Sequence, residues 1–175
     1  MREYAPSIVF QPSAIWRRRM QRRPNQDVGP SMPHARPDRF RIALRLRHPR
    51  DDLTACAAGF GLTPSRHWTA GQPRTTPAGT PLDGVWNESY WTAPLSTPAA
   101  VDLEAALGEA AGRLERHEGL FTRLAASGGT ASLFIGFFLG RANTGFSLGP
   151  SLMARFGSLG IALEFDLYGA DDSAV

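Results

Sequence analysis

The stretch LTPSRHWTAG, residues 62–71, sets an arginine, a histidine and a tryptophan side by side. Each residue type has a use. Arg66 can hold an anion through its forked guanidinium. His67 can move a proton near neutral pH, provided an acid within hydrogen-bond reach orients it. Trp68 offers a large flat apolar surface. Trp86, Tyr90 and Trp91 follow in one aromatic run, and aromatics with an arginine are the usual anchors of a protein-binding patch. Arg66, His67, Trp68, Trp86, Tyr90 and Trp91 are therefore the candidate binding residues. The structural alternative is that the tryptophans close the core beneath the segment 72–84. Trp68 is expected to pack, Arg66 to be exposed, and His67 has no evident partner.

The other chemistry-bearing residues do not form a recognisable site. His34, His48, His67 and His117 show neither H-x-x-x-H nor H-E-x-x-H spacing, so a zinc-hydrolase site has no local signature. No G-x-S-x-G elbow, P-loop or G-x-G-x-x-G is present. Asp51 and Asp52 read as a helix cap, and Asp171 and Asp172 as part of a solvated tail. Glu164 and Asp166 alternate along a strand about 7 Å apart, which suits a charged outer face better than acid–base work. The one cysteine, Cys56, excludes an internal disulfide and any multi-cysteine metal site; it is expected to be buried and inert. No catalytic residue, metal or cofactor is expected.

The charge is divided along the chain. All nineteen basic residues are arginine. Residues 1–50 hold twelve arginines against Glu3, Asp27 and Asp38, a net of +9, whereas residues 51–175 hold seven arginines against thirteen acids, a net of −6. The high pI thus belongs to the N-terminal part and does not describe a basic globular domain. Residues 1–37 carry six prolines and the runs Arg17-Arg18-Arg19 and Arg22-Arg23; such a segment buries too little apolar area to offset its ordering entropy. It reads as a disordered Arg/Pro-rich tail. Three readings of it stand open: a basic arm for nucleic acid or an acidic partner, a tail without function, or a mis-set gene start with Met32 as the true one. No apolar run approaches the roughly 18 residues of a membrane helix, and no basic-then-apolar leader is visible, so a cytoplasmic location is expected.

From Arg39 the pattern becomes that of a domain, residues 38–169, followed by a polar tail, 170–175. FRIALRLRH alternates strictly, with Phe40, Ile42, Leu44 and Leu46 on one face, which predicts a half-buried strand. Leu53, Cys56, Ala57 and Phe60 share the face of a short helix that Gly61 stops. The Pro/Gly/Thr-rich segment 72–84 reads as a long loop, and VWNESYWT, residues 85–92, as a strand. Thr97-Pro98 is a helix-start signal for a helix with Leu103, Leu107, Ala110, Ala111 and Leu114 on one stripe, broken near Gly119 before Leu120, Phe121 and Leu124. ASLFIGFFLG, residues 131–140, is apolar on both faces, as in a central strand. Gly149-Pro150 opens a short helix with Leu152, Met153, Phe156 and Leu159 inward, and IALEFDLY ends the domain with Ile161, Leu163, Phe165 and Leu167 inward. This order predicts an α+β domain, a largely antiparallel sheet with helices packed on one face. If the first and last strands are neighbours, Arg45 or Arg47 can pair with Glu164 or Asp166.

The order of short patterns resembles a bacterial family catalogued as domain of unknown function 4279. Leu53-Thr54 stands for its I-T pair, Gly61-Leu62-Thr63-Pro64 for G-L-x-P, Gly71 for the glycine that follows, and Trp86 or Trp91 for the tryptophan of the next strand. Leu159-Gly160 through Asp166, Leu167 and Tyr168 stand for its closing pattern. Asp51-Asp52 departs from its D-P step and Phe60 from its leucine. The resemblance covers roughly residues 38–169 and implies no activity.

The function expected from these observations is non-catalytic: a cytosolic module that binds a partner protein, as an immunity or regulatory factor. Two alternatives come from other classes. One is nucleic-acid binding through the basic N-terminal arm. The other is an unrecognised hydrolase using His67, which requires a carboxylate within hydrogen-bond reach of that ring.

Overall fold

A computed structural model describes residues 38–95, 102–140 and 144–169. The basic segment 1–37, Thr97-Pro98 and the tail 170–175 lie outside the described residues. Among these residues seven strands and four α-helices follow one another: β1 (Arg39–His48), α1 (Thr54–Ala58), β2 (Arg66–Trp68), β3 (Pro73–Thr75), β4 (Pro81–Val85), β5 (Ser89–Leu95), α2 (Leu103–Leu114), α3 (Glu118–Ala126), β6 (Thr130–Phe138), α4 (Pro150–Ser158) and β7 (Ile161–Tyr168). The domain is α+β, as expected.

Five strands form one sheet in the order β2-β5-β1-β6-β7. β1 lies in the middle, antiparallel to both β5 and β6; β2 runs antiparallel to β5, and β7 runs parallel to β6. The alternation in β1 decides which face is which. Ile42, Leu44, Leu46 and their register partners Leu95, Ala93, Trp91, Ile135, Leu133 and Ala131 are all buried. Helix α2 covers them with the predicted stripe, Leu103, Leu107, Ala110, Ala111 and Leu114, to which Ala106 is added. Residues in contact on that face remove water from apolar surface at roughly 25 cal/mol per Å², and no polar side chain of β1 interrupts it until His48.

Helix α2 begins at Leu103 because Asp102 caps it: the carboxylate accepts the Ala105 amide at 2.9 Å. The break before α3 is a 3-10 turn at Glu115–His117, and Gly119 falls inside α3 rather than at the break. Arg155 on α4 binds the Glu115 carboxylate through two nitrogens, at 2.6 and 2.9 Å, which lowers the Glu115 pKa.

Four expectations about elements are corrected. The segment 72–84 is not a loop but a hairpin, β3–β4, forming a separate two-stranded sheet. Its threonines are β-formers, and Gly79, at φ +84°, supplies the left-handed residue of the turn, whose amide donates to Thr76 O. Met153 is 51% exposed, because the buried side of α4 is the narrow stripe of Leu152, Phe156 and Leu159. Phe165 and Leu167 are exposed too: β7 is an outer strand, and Phe165 finds only Phe146, itself exposed, stacked at 5.3 Å. Cys56 is half-buried rather than buried, and burial raises its thiol pKa, which keeps it a poor nucleophile.

β1 and β7 are not neighbours, since β6 separates them. Arg45 nonetheless reaches Glu164 at 2.9 Å by crossing the Phe134 ring, its guanidinium carbon 3.6 Å from the ring centroid. A partly exposed pair of this kind contributes about 0–1 kcal/mol, with the cation–π contact adding roughly 0.5–1 kcal/mol. The arrangement ties three strands together on the side of the sheet away from the helices.

Candidate functional site

The open face of the sheet is built by register. Trp68 stands opposite Tyr90, and Tyr90 opposite Arg47, so all three project to one side. Trp86, just after β4, leans onto them. The three rings form a column: Trp86 on Trp68 with centroids 4.2 Å apart, and Trp68 on Tyr90 at 4.4 Å. Arginines lie beyond both ends, Arg74 of β3 5.4 Å from the Trp86 centroid and Arg47 of β1 5.9 Å from the Tyr90 centroid. Arg47 also lies 3.9 Å from Glu88 and 3.9 Å from Glu164. The column therefore docks the hairpin β3–β4 on the sheet. Two backbone bonds support it, from the Gly71 amide to Trp86 O and from the Trp86 amide to Gln72 O. Trp68 Nε1 is buried without a hydrogen-bond partner among the described residues.

A cleft of about 450 Å³ opens beside the column. Ser65 and strand β2, which among the described residues pairs only with β5, form one part of its lining. The tip of the hairpin, Thr75, Thr76, Pro77 and Gly79, forms another, and Trp68 and Trp86 line it too. Arg66 and His67 are the ionisable residues of its lining; no acid lines it. A volume in the range of about 300–1,000 Å³ is that of ligand-binding clefts.

Of the six candidates, five thus meet: Arg66, His67, Trp68, Trp86 and Tyr90. Trp68 packs and Arg66 is exposed, as expected. Trp91 does not join them. The side-chain period of two turns it to the helix side, where it is 2% exposed against Phe60. The sequence reading missed Arg74, Ser65 and the hairpin tip, whose signal was the threonines flanking Pro77-Ala78-Gly79.

The His67 side chain makes no hydrogen bond or ion pair among the described residues. The carboxylate that senses it is Asp52, but that group is committed elsewhere. Its Oδ1 accepts from the Thr54 amide at 2.9 Å and the Thr54 hydroxyl at 2.8 Å, with the Thr69 hydroxyl at 3.4 Å. These bonds, led by the Thr54 amide, lower the Asp52 pKa, and His67 adds a smaller effect in the same direction. The geometry required for a His67 general base is thus not present among the described residues. A depressed folded-state pKa contributes stability above the unfolded value, lost as pH falls through the folded one. Thermal unfolding of the wild type is accordingly expected to fall more steeply below pH 3.8, the ordinary value of the group, than that of Asp52→Asn. Parallel curves would show that the cap is silent.

The rest of the open face offers few free rings. Arg45 covers Phe134, and Phe138 stacks on Tyr168 at 4.7 Å with Arg41 5.8 Å from its centroid. Tyr168 donates to Asp166, which raises the phenol pKa. Base stacking of the kind used by RNA-binding sheets needs exposed ring faces; Arg45 covers that of Phe134, and Tyr168 one side of Phe138. Among the described residues no group of three or more His, Cys, Asp or Glu side chains could hold a metal ion, and no helix is long and apolar enough to cross a membrane.

Fold and site together define a small α+β domain, helices on one side of its sheet and an arginine–aromatic face on the other. The chain belongs to the family described as a domain of unknown function (DUF4279), whose model matches residues 38–170. No curated protein and no solved structure matches the chain.

Proposed function

We propose that the domain is a binding module for a partner protein, and that it binds through the cleft between β2 and the β3–β4 hairpin. The observation that carries this is a cleft with aromatic rings, an arginine without a partner among the described residues, and no acid in its lining. A guanidinium beside aromatic rings can meet a carboxylate in a paired, charge-assisted hydrogen bond, and arginine with aromatic residues is the usual anchor set of an interface. The cytosolic, regulatory or immunity setting of such a partner is part of this reading. The nucleic-acid alternative belongs to the N-terminal arm, outside the described residues.

Arg66→Glu is the test, because Arg66 is exposed and its replacement leaves the fold intact. Immobilised wild-type protein is expected to retain a partner from cells of its source that Arg66→Glu loses, while Arg116→Glu, an exposed control in the turn after α2, retains it. Equal retention by all three would overturn the reading.

A further inference from the structure

The cleft has one wall that differs from an ordinary pocket side: it is the free edge of a β-sheet. Among the described residues β2 pairs along one edge only, with β5, and no strand covers the other. Native sheets usually blunt such an edge or cover it. Here it is short, three residues, and those residues line the same cleft as the hairpin tip. Unpaired backbone groups beside a channel are a template for an added strand.

The side chains around that edge select what can be added. Arg66 and His67 line the cleft, and Arg74 and Arg47 lie beyond the two ends of the ring column. Asp52 is engaged by Thr54 and Thr69, and Glu88 and Glu164 lie beside Arg47. Pairing of β2 with the same strand of a second copy would bring two Arg66 and two His67 into one gap, which like-charge repulsion disfavours. The complementary occupant carries carboxylates.

We propose that an extended, acidic segment of the partner protein adds as a strand to the free edge of β2, between that strand and the hairpin β3–β4. Its backbone pairs with residues 66–68, one carboxylate meets Arg66, and an apolar side chain lies along the exposed edges of Trp68 and Trp86. This rests on the partner-binding reading above and specifies its mode.

A random linear peptide library displayed on phage, selected on the full-length protein, tests it. Selected peptides are expected to be rich in Asp and Glu at alternate positions and to bind Arg66→Glu about tenfold or more weakly. Amide hydrogen exchange with the tightest selected peptide is the second readout: the amides of 66–68 are expected to slow, and those of the central strand β1 to stay as they were. Strand addition is overturned if no peptide is enriched, if enriched peptides are not acidic, or if they bind while the 66–68 amides exchange as before. Loss of cellular partner capture by Arg66→Glu together with unprotected 66–68 amides overturns strand addition alone. Equal capture overturns the partner-binding reading itself.

Discussion

His48→Ala is expected to lower the free energy of unfolding by about 2–4 kcal/mol, measured by urea denaturation with an unchanged slope. His48 ends β1 and is 3% exposed. Its Nδ1 accepts from the Asp51 amide at 2.6 Å and the Arg50 amide at 3.1 Å, while Nε2 lies 2.9 Å from Ser127 O. Two amides on Nδ1 require the ring proton on Nε2, which donates to the Ser127 carbonyl. One side chain thus satisfies three backbone groups from two turns, the one leaving β1 and the one joining α3 to β6. Ring and turn are also tightly packed: a Cβ on Gly129 would stand 2.9 Å from the imidazole and within clashing distance of Leu124. Alanine leaves all three groups short of a partner and opens a void. The conservative variants divide the loss. Asn places an oxygen near the Nδ1 position and is expected to recover the amide contacts, so His48→Asn should lie between wild type and alanine. A His48→Asn no better than alanine would show that the Ser127 contact alone carries the effect.

Trp68→Ala is expected to cost a similar amount, about 2–4 kcal/mol, combining lost burial with two lost stacking contacts, and to do so unevenly. Trp68 is the middle ring of the column, with Trp86 on one side and Tyr90 on the other. Its removal separates the hairpin from the sheet, because Trp86 then has nothing to rest on. Limited proteolysis should show it: cleavage within 73–85 is expected to quicken well before global unfolding, while the helical layer resists. Trp86→Ala should give the same early cleavage with a smaller loss of global stability. Uniform sensitivity of the whole domain in Trp68→Ala would mean that the column is part of the main core instead. Since this residue is structural, loss of partner binding in Trp68→Ala does not by itself locate the interface, which is why the binding test uses Arg66.

The elements with a strong internal period could be read directly. Alternation in β1 and the stripe of α2 are statements about one face and one solvent boundary, and the structure repeats them residue by residue. Gly61 and Gly160, both at positive φ, stand after α1 and α4 where a left-handed residue was expected. What failed depended on neighbours. Phe165 and Leu167 have the same alternation as Leu44 and Leu46, but period cannot reveal that their strand is outermost. Met153 shares a turn with Leu152 and differs only in which way the helix is rolled. The hairpin was hidden because proline and glycine punctuation outweighs three-residue strands in any window long enough to show a period. For the site, residue types were enough to nominate Arg66, Trp68, Trp86 and Tyr90. Separating Trp91 from Tyr90 required the pleat, which sends adjacent residues to opposite faces. Arg74 and Arg47 entered through the fold alone, each from a strand the aromatic run does not contain.

The place of β1 in the sheet has a consequence for how the domain comes into being. It precedes every other described element, yet its two neighbours are β5 and β6, paired as Ile42↔Leu95 and Arg45↔Ser132; the ion pair that runs from it across β6 to β7 spans 119 positions. A chain made from its N-terminus exposes an apolar strand with two unsatisfied edges until most of the domain has been synthesised. Topologies of this kind, dominated by contacts far apart in sequence, fold slowly and spend longest in aggregation-prone states. The alternating arginines of β1, at 39, 41, 45 and 47, lie on the face away from the core. Charges alternating along an exposed apolar strand are the general device by which sequences keep such strands apart.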